Sequence, residues 1–165
     1  MRASLFLLLL VIVGTPVAAE TNSLGVFGFW GAFEKDSPKG CYAITAPHLV
    51  SGRQPAAAVA PGFATVAYWP ERKIRAQVHF RLSREKRKES AVLLRIDDRT
   101  FQLVAGGSDA WAPEPAADAV IVAAMRSGVT MTVETRSATG ALVRDSYQLR
   151  GAPTAIDAAA VACSR

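Results

Sequence analysis

The sequence predicts an all-β fold: an antiparallel β-sandwich of about seven strands with two short helices, preceded by a cleavable signal peptide. Residues 75–83 alternate between apolar and polar side chains, as in a strand with one solvated face. Residues 129–133 and 143–149 flank a turn at Thr139-Gly140 and predict a hairpin. Because little helical sequence separates the strands, two packed antiparallel sheets are favoured over a parallel α/β sheet.

Residues 1–19 have the features of a secretory signal peptide. Arg2 supplies a positive charge, residues 5–13 form an apolar segment, and small residues lead up to Ala19. We expect Sec-type export with cleavage after Ala19, leaving residues 20–165 as a single β-sandwich domain. The alternative is a retained short anchor or a buried helix. It is disfavoured because Gly14 and Pro16 break the helix where the final region of a signal peptide would begin.

Three further strands are expected before the alternating segment, at residues 25–33, 41–45 and 64–69. Residues 46–62 are rich in proline, alanine and glycine and predict a long loop. In the alternating segment, the apolar side consists of Ala76, Val78, Phe80 and Leu82, and the polar side of Arg75, Gln77, His79, Arg81 and Ser83.

A second hairpin is expected between residues 91–96 and residues 100–104. They flank Asp97-Asp98, polar residues that tolerate turn conformations. The two carboxylates could also be interpreted as a metal-binding or acid/base pair. A turn is favoured because adjacent residues of a strand point to opposite faces.

The first helix is expected over about residues 116–127. Pro115 lies at its start and Gly128 just after its end, positions that these residue types favour. Asp118 near the beginning and Arg126 near the end suit the helix dipole.

The second helix is expected to begin at Thr154, with Asp157 in a capping-box-like position and Cys163 in the last turn. In an exported protein, Cys41 and Cys163 predict a disulfide. It would pin this helix against the early strands and, in the chain-entropy model, stabilise the fold by about 5 kcal/mol. A metal site would need more ligands than two cysteines, and a nucleophilic thiol would need an activating neighbour that the sequence does not identify.

A basic cluster follows the alternating strand. The full chain carries a formal charge of +5, and loss of Arg2 lowers it to +4. We interpret the cluster as a candidate patch for an anionic envelope component, such as a lipid head group or acidic polysaccharide. The alternative is a solvated turn whose charges give solubility and edge protection. Nucleic acid is not expected as a partner, since the segment has no aromatic residue for base stacking. The cluster consists of Arg81, Arg84, Lys86, Arg87 and Lys88.

No recognisable catalytic motif accompanies His48 or His79, so no catalytic residue, metal site or cofactor is predicted. A solvated or hydrogen-bonded histidine is the favoured interpretation of both. Trp30, Trp69 and Trp111 could line a ligand groove, but packing in the core or between the sheets is favoured by their strand-like neighbours.

The C-terminal half resembles the invasion-associated locus B family of alphaproteobacterial envelope proteins. In that family a helix leads into a strand, a polar turn, a second strand and a final helix that closes on a cysteine. Trp30 in FGFWGAF is similar to the family's early tryptophan strand. The matching residues are Ala124, Met125, Gly128, Met131, Val133, Asp145, Tyr147, Leu149, Gly151, Ala155, Asp157 and Cys163.

The resemblance implies a periplasmic or envelope-associated all-β domain and implies no reaction. We therefore expect a non-enzymatic binding or envelope-support module in the periplasm, with envelope association or secretion as variants of that location. The expected partner is an anionic envelope component or another envelope protein, and no transmembrane span is expected in the mature form. The alternative is a periplasmic enzyme whose site is assembled in space. A third possibility is a purely structural envelope protein.

Overall fold

The computed structural model describes residues 20–51 and 61–164, in which eleven strands form one antiparallel hydrogen-bonded sheet accompanied by two α-helices. The order across the sheet is β1-β2-β3-β5-β6-β9-β8-β7-β10-β11-β4. The predicted all-β fold with two short helices is confirmed. The elements are β1 Thr21–Phe27, β2 Trp30–Lys35, β3 Gly40–Thr45, β4 Leu49–Ser51, β5 Phe63–Trp69, β6 Ile74–Arg81, β7 Val92–Ile96, β8 Arg99–Gly106, β9 Asp109–Trp111, α1 Pro115–Ser127, β10 Thr130–Arg136, β11 Leu142–Gln148 and α2 Ala152–Ala162.

The strand number exceeds the expected seven for identifiable reasons. Residues 25–33 are not one strand, because a turn at Gly28-Phe29 divides them between β1 and β2. Part of the expected loop at 46–62 pairs with β11 as β4, and residues 52–60 lie outside the described part of the chain. β9 has three residues, too few for an alternating pattern to be recognised.

β8 joins two halves of the sheet. Its first five residues pair with β7 and its last three pair with β9. The two halves approach each other face to face: the Trp30 indole donates a 2.9 Å hydrogen bond to the Gln148 carbonyl oxygen. The rings of Phe80 and Tyr147 also meet, with centroids 6.4 Å apart. The inward faces of both halves therefore share one apolar core.

The core contains the side chains that the alternating patterns predict to point inward. Of the expected apolar side of residues 75–83, Val78, Phe80 and Leu82 are buried and Ala76 is partly buried. Ser83, expected on the polar side, is buried as well, because the chain leaves β6 after Arg81. Their buried partners from other elements include Trp30, Val66, Leu94, Ile96, Ile121, Met125, Met131, Val133, Tyr147, Leu149 and Ile156.

α1 packs beside β6, where Asp118 accepts a 2.8 Å hydrogen bond from the Val78 backbone N–H. Burial raises the pKa of Asp118, and this hydrogen bond opposes the rise. The predicted span of α1 and the terminal positions of Pro115 and Gly128 are confirmed. β9 pairs only with residues 79–81 of β6. α1 thus supplies a hydrogen-bond acceptor to the neighbouring part of β6 that β9 does not reach.

The expected start of α2 is wrong. The helix begins at Ala152 after Gly151, so Thr154 lies inside its first turn and forms no capping box with Asp157. Asp157 instead accepts a 2.6 Å hydrogen bond from Arg126 of α1, which lowers the pKa of its carboxyl.

The predicted disulfide between Cys41 and Cys163 is present, with the two Cα atoms 5.7 Å apart. It joins the inward side of β3 to the residue that directly follows α2. The predicted signal peptide lies outside the described residues, and within them no helix is both long and apolar enough to cross a bilayer.

Candidate ligand-binding face

Half of the sheet presents aromatic side chains on the surface opposite the core. Along β6, Val78 and Phe80 point inward, so Gln77, His79 and Arg81 point outward. The same alternation in β2, β3, β5 and β9 brings further rings to this surface, which we call the aromatic face. Its rings are Phe33, Tyr42, Phe63, Trp69, His79 and Trp111.

The strand register places these side chains in rows across the sheet. In one row Thr65 pairs with His79, and His79 pairs with Trp111. A parallel row contains Phe33, Tyr42, Ala67 and Gln77. A third contains Phe63, Arg81 and Asp109. Residues far apart in sequence meet because cross-strand neighbours are the nearest partners on a sheet face.

Ring contacts hold the centre of the face in place. The His79 ring stacks on Trp111, with centroids 5.2 Å apart and planes 19° apart, and meets Phe63 edge-on at 5.5 Å. Phe33 and Tyr42 stack at 5.6 Å. Such contacts restrict the rings before any ligand arrives.

A polar group lies within this set of rings. His79 Nε2 is 2.9 Å from Asp109 Oδ1, and Arg81 Nη1 is 2.5 Å from Asp109 Oδ2. Since a carboxylate oxygen accepts and a ring N–H donates, this contact is a hydrogen bond in the tautomer that carries the proton on Nε2. Asp109 therefore fixes both the histidine ring and the guanidinium.

At the other end of the face, the Trp69 ring lies against the backbone of Gly40. A Cβ atom at Gly40 would come within 2.3 Å of the Trp69 ring, so this close approach requires glycine. The Arg72 guanidinium lies 5.8 Å from the Trp69 ring centroid. Trp69 thus has a fixed position and a cation beside it.

Between these two ends, all of the rings except Phe33 line a shallow groove of about 430 Å³. The small side chains of Thr65 and Ala67 lie along its middle, and Trp111 keeps 37% of its surface exposed. An exposed tryptophan on a sheet whose other side is core is available for contact with another molecule.

A larger cavity of about 690 Å³ lies beside the disulfide, lined in part by Tyr68, Lys73, Arg75 and Cys163. Its lining combines two cations with one phenol ring. It lacks the stacked rings and the fixed carboxylate of the aromatic face, which we therefore take as the candidate site.

The structure does not bring the predicted basic cluster together as one exposed patch. Arg84 is buried, and its Nη1 donates to the Ser83 carbonyl oxygen at 2.9 Å. Arg81 belongs to the aromatic face, paired with Asp109. Lys86 Nζ donates to the carbonyl oxygens of Arg87 and Lys88 at 2.9 and 2.6 Å. The side chains of Arg87 and Lys88 are exposed, and an anionic ligand at this loop stays a prediction.

Arg84 belongs to a buried polar cluster between the two sheet halves. Asp145 accepts a 2.8 Å hydrogen bond from the Ser83 N–H and a short one from the Ser83 hydroxyl. Burial raises the pKa of Asp145, while the Ser83 hydrogen bonds and the Arg84 charge oppose the rise. Burial and the Asp145 charge also raise the pKa of the Tyr147 phenol. This cluster ties the segment after β6 to β11.

The other predicted candidates separate clearly. Trp30 is in the core, whereas Trp69 and Trp111 lie on the aromatic face, so the core interpretation was wrong for two of the three.

His48 is exposed. Asp97 lies in the predicted turn and accepts hydrogen bonds from the N–H groups of Thr130 and Val129, which lower the pKa of its carboxyl. In the described ranges, no group of three or more His, Cys, Asp or Glu side chains could hold a metal ion.

Sequence reasoning missed Phe33, Tyr42, Phe63 and Asp109. A signal was present for Phe33 and Tyr42, which are aromatic residues within expected strands, whereas Phe63 directly precedes the expected strand 64–69. Asp109 lies in the short β9, and only the register of β6 with β9 shows its proximity to His79.

Comparison with known proteins gives one structural likeness. No family model and no curated protein matches the sequence. Among solved structures, the crystal structure of invasion associated protein B from Bartonella henselae superposes with a TM-score of 0.56 at 16% sequence identity, covering 86% of this chain and 98% of that one. Identity this low is evidence for the fold alone. The chain therefore has an invasion-associated-protein-B-like fold, which confirms the resemblance at the level of architecture.

Proposed function

We propose that this protein is an exported, envelope-associated, non-enzymatic binding module whose ligand contacts the aromatic face. The observation that carries the proposal is the stacked His79–Trp111 pair beside Asp109, exposed on the side of the sheet away from the core. The shared fold with a protein named for invasion and the signal-peptide-like residues 1–19 support an envelope location.

The surroundings of the second ring nitrogen of His79 support binding in preference to catalysis. Asp109 holds Nε2, and a general base needs a nucleophile within hydrogen-bond reach of the other nitrogen. Among the described residues, no nucleophile forms a hydrogen bond with His79 Nδ1. The pair with Asp109 therefore fixes the ring in position for contact with a ligand.

The location is tested by fractionating cells and sequencing the N-terminus of the mature protein. We expect the protein outside the cytoplasm and a first residue of Glu20. A cytoplasmic protein that still begins at Met1 would contradict the proposal.

The binding role is tested by sedimenting purified mature protein with isolated cell envelopes. Trp111→Ala should reduce the bound fraction about tenfold, because the exposed ring makes the contact. Phe29→Ala is the matched control, since Phe29 is an exposed aromatic residue outside the aromatic face. Equal binding by both variants and the wild type would contradict a role for this face.

The His79–Asp109 distance of 2.9 Å also favours a second candidate, an enzyme that uses this pair. It predicts that envelope material incubated with the protein releases new soluble fragments, and that His79→Ala abolishes the release. Binding without such release supports the non-enzymatic role.

A further inference from the structure

We propose that the aromatic face binds an acidic polysaccharide, with sugar rings stacked on Trp111 and Trp69 and an anionic substituent beside Arg72. This inference rests on the proposed binding function and names its ligand class. It follows from the shape of the face, the chemistry of its surface and its charge.

The dimensions of the face suit an extended chain of rings. Phe63 and Trp69 are six residues apart on β5, a separation of roughly 20 Å at strand geometry. From β3 to β9 the face spans three strand spacings, roughly 14 Å. The groove is therefore longer than one small molecule requires, and rings are present at several points along it.

The surface chemistry of the face matches a sugar chain. A pyranose has an apolar face of C–H groups and a rim of hydroxyls, so it stacks on a flat ring while its rim seeks hydrogen bonds. Here rings alternate with polar groups, since the outward Gln77 lies two residues from His79 on β6 and Tyr42 offers a phenol. A lipid chain would bury such polar groups without giving them hydrogen-bond partners.

The sheet topology argues against a peptide added as a strand. β3 and β5 each have a strand neighbour on both sides. β6 pairs with β5 along its length and with β9 over residues 79–81, and its Val78 N–H is bound by Asp118 of α1. Strand addition requires an unpaired edge. A ligand on this face therefore meets side chains, as a sugar chain does.

The charge distribution selects an acidic chain over a neutral one. Asp109 balances Arg81 through their ion pair, whereas Arg72 is exposed and projects over Trp69. A guanidinium beside a stacking ring suits a sugar that carries a carboxylate. Single-stranded nucleic acid also combines rings with negative charge, and it is one arm of the test.

The test uses the mature protein and intrinsic tryptophan fluorescence. The probes are an oligomannuronate as the acidic glycan, a cello-oligosaccharide of equal length as the neutral glycan, and oligo-dT as the nucleic acid. We expect saturable binding of the oligomannuronate at least tenfold tighter than that of either other probe. Failure to bind it, or equal or tighter binding of another probe, would overturn the inference.

Two variants and a control separate stacking from charge. Trp111→Ala should weaken oligomannuronate binding about tenfold, and Arg72→Gln should remove the preference over the neutral glycan while retaining binding to both. Phe29→Ala should bind as the wild type does. Retained affinity in Trp111→Ala, or a retained preference in Arg72→Gln, would contradict the assignment. Calorimetric binding and far-UV circular dichroism of each variant identify any misfolded protein, and Trp111→Phe, which keeps a ring, should recover most of the affinity.

Failure of this inference is distinguishable from failure of the proposed function. If envelope binding depends on Trp111 but survives enzymatic removal of acidic glycans, the face binds another partner and the glycan assignment falls. If envelope binding does not depend on Trp111, both the glycan assignment and the proposed binding role of this face are wrong.

Discussion

Gly151, between β11 and α2, shows how closely the chain approaches itself at a single residue. Its φ is +95°, and a Cβ atom there would lie 1.7 Å from the Phe27 carbonyl oxygen. Both the backbone conformation and the contact with the end of β1 therefore require a hydrogen atom in place of a side chain. The residue directs the chain into α2 while the first hairpin packs against it.

Gly151→Ala should destabilise the protein more than Gly140→Ala. Gly140 also has a positive φ, of +85°, but its Cβ would meet open space, so it isolates the conformational cost of about 1–2 kcal/mol. Gly151→Ala adds a backbone clash, and we expect about 3 kcal/mol or more in total. Urea unfolding of both variants measures the difference. Equal losses would show that the contact with Phe27 relaxes freely.

At the scale of elements, the buried Asp145 joins the connection after β6 to β11. Below its ordinary pKa of 3.8, the carboxyl is protonated in both the folded and unfolded states. As the pH rises past that value, the unfolded chain ionises first, because burial raises the pKa in the folded state. The contribution of this group to stability is thus full at low pH and falls as the pH rises through the folded pKa.

The stability advantage of the wild type over Asp145→Asn should therefore shrink as the pH rises from about 3.5 toward 7. Urea unfolding of the two proteins at a series of pH values gives this difference directly. The two share their other titrating groups, which cancel in the comparison. An advantage that grows with pH would mean that hydrogen bonds from Ser83, and not burial, control this carboxyl.

The elements that the sequence predicted well are those with a long period or a strong boundary. β6 has eight residues of alternation, and α1 has a proline and a glycine at its ends. β4 and β9 have three residues each and carry no comparable period. α2 was placed two residues late because Thr154 resembles an N-cap, whereas the left-handed Gly151 ends the preceding segment.

The candidate site was less predictable than the elements, for a physical reason. Its residues come from five strands, and their neighbourhood depends on register, which composition and periodicity along one segment do not reveal. The basic cluster shows the opposite limit of sequence reasoning. Charges adjacent in sequence suggested a common surface, but the chain turns Arg84 into the interior and Arg81 toward Asp109.

At the scale of the whole molecule, one disulfide spans nearly the entire described chain. Cys41 and Cys163 are 122 residues apart in sequence and join β3 to the end of α2. A crosslink that closes a loop this long removes much of the freedom of the unfolded chain. It therefore acts on stability chiefly through the unfolded state.

Removing the crosslink with the double variant Cys41→Ala/Cys163→Ala should lower the free energy of unfolding by up to about 5 kcal/mol. The dependence of that free energy on urea concentration should steepen, because the unfolded chain expands further. The wild type unfolded in a thiol reductant is the matched control, and it should approach the variant. An unchanged urea dependence would show that the unfolded chain stays compact without the bond.

The two sides of the half-sheet that carries the aromatic face are under different packing constraints. Side chains at alternate positions of β5 and β6 either fill the interior or face outward, so exchanging an outward residue leaves the interior packing intact. Recognition can thus diverge by single substitutions without loss of foldability. Proteins built on this scaffold can share an architecture at low sequence identity and still prefer different molecules at the same location.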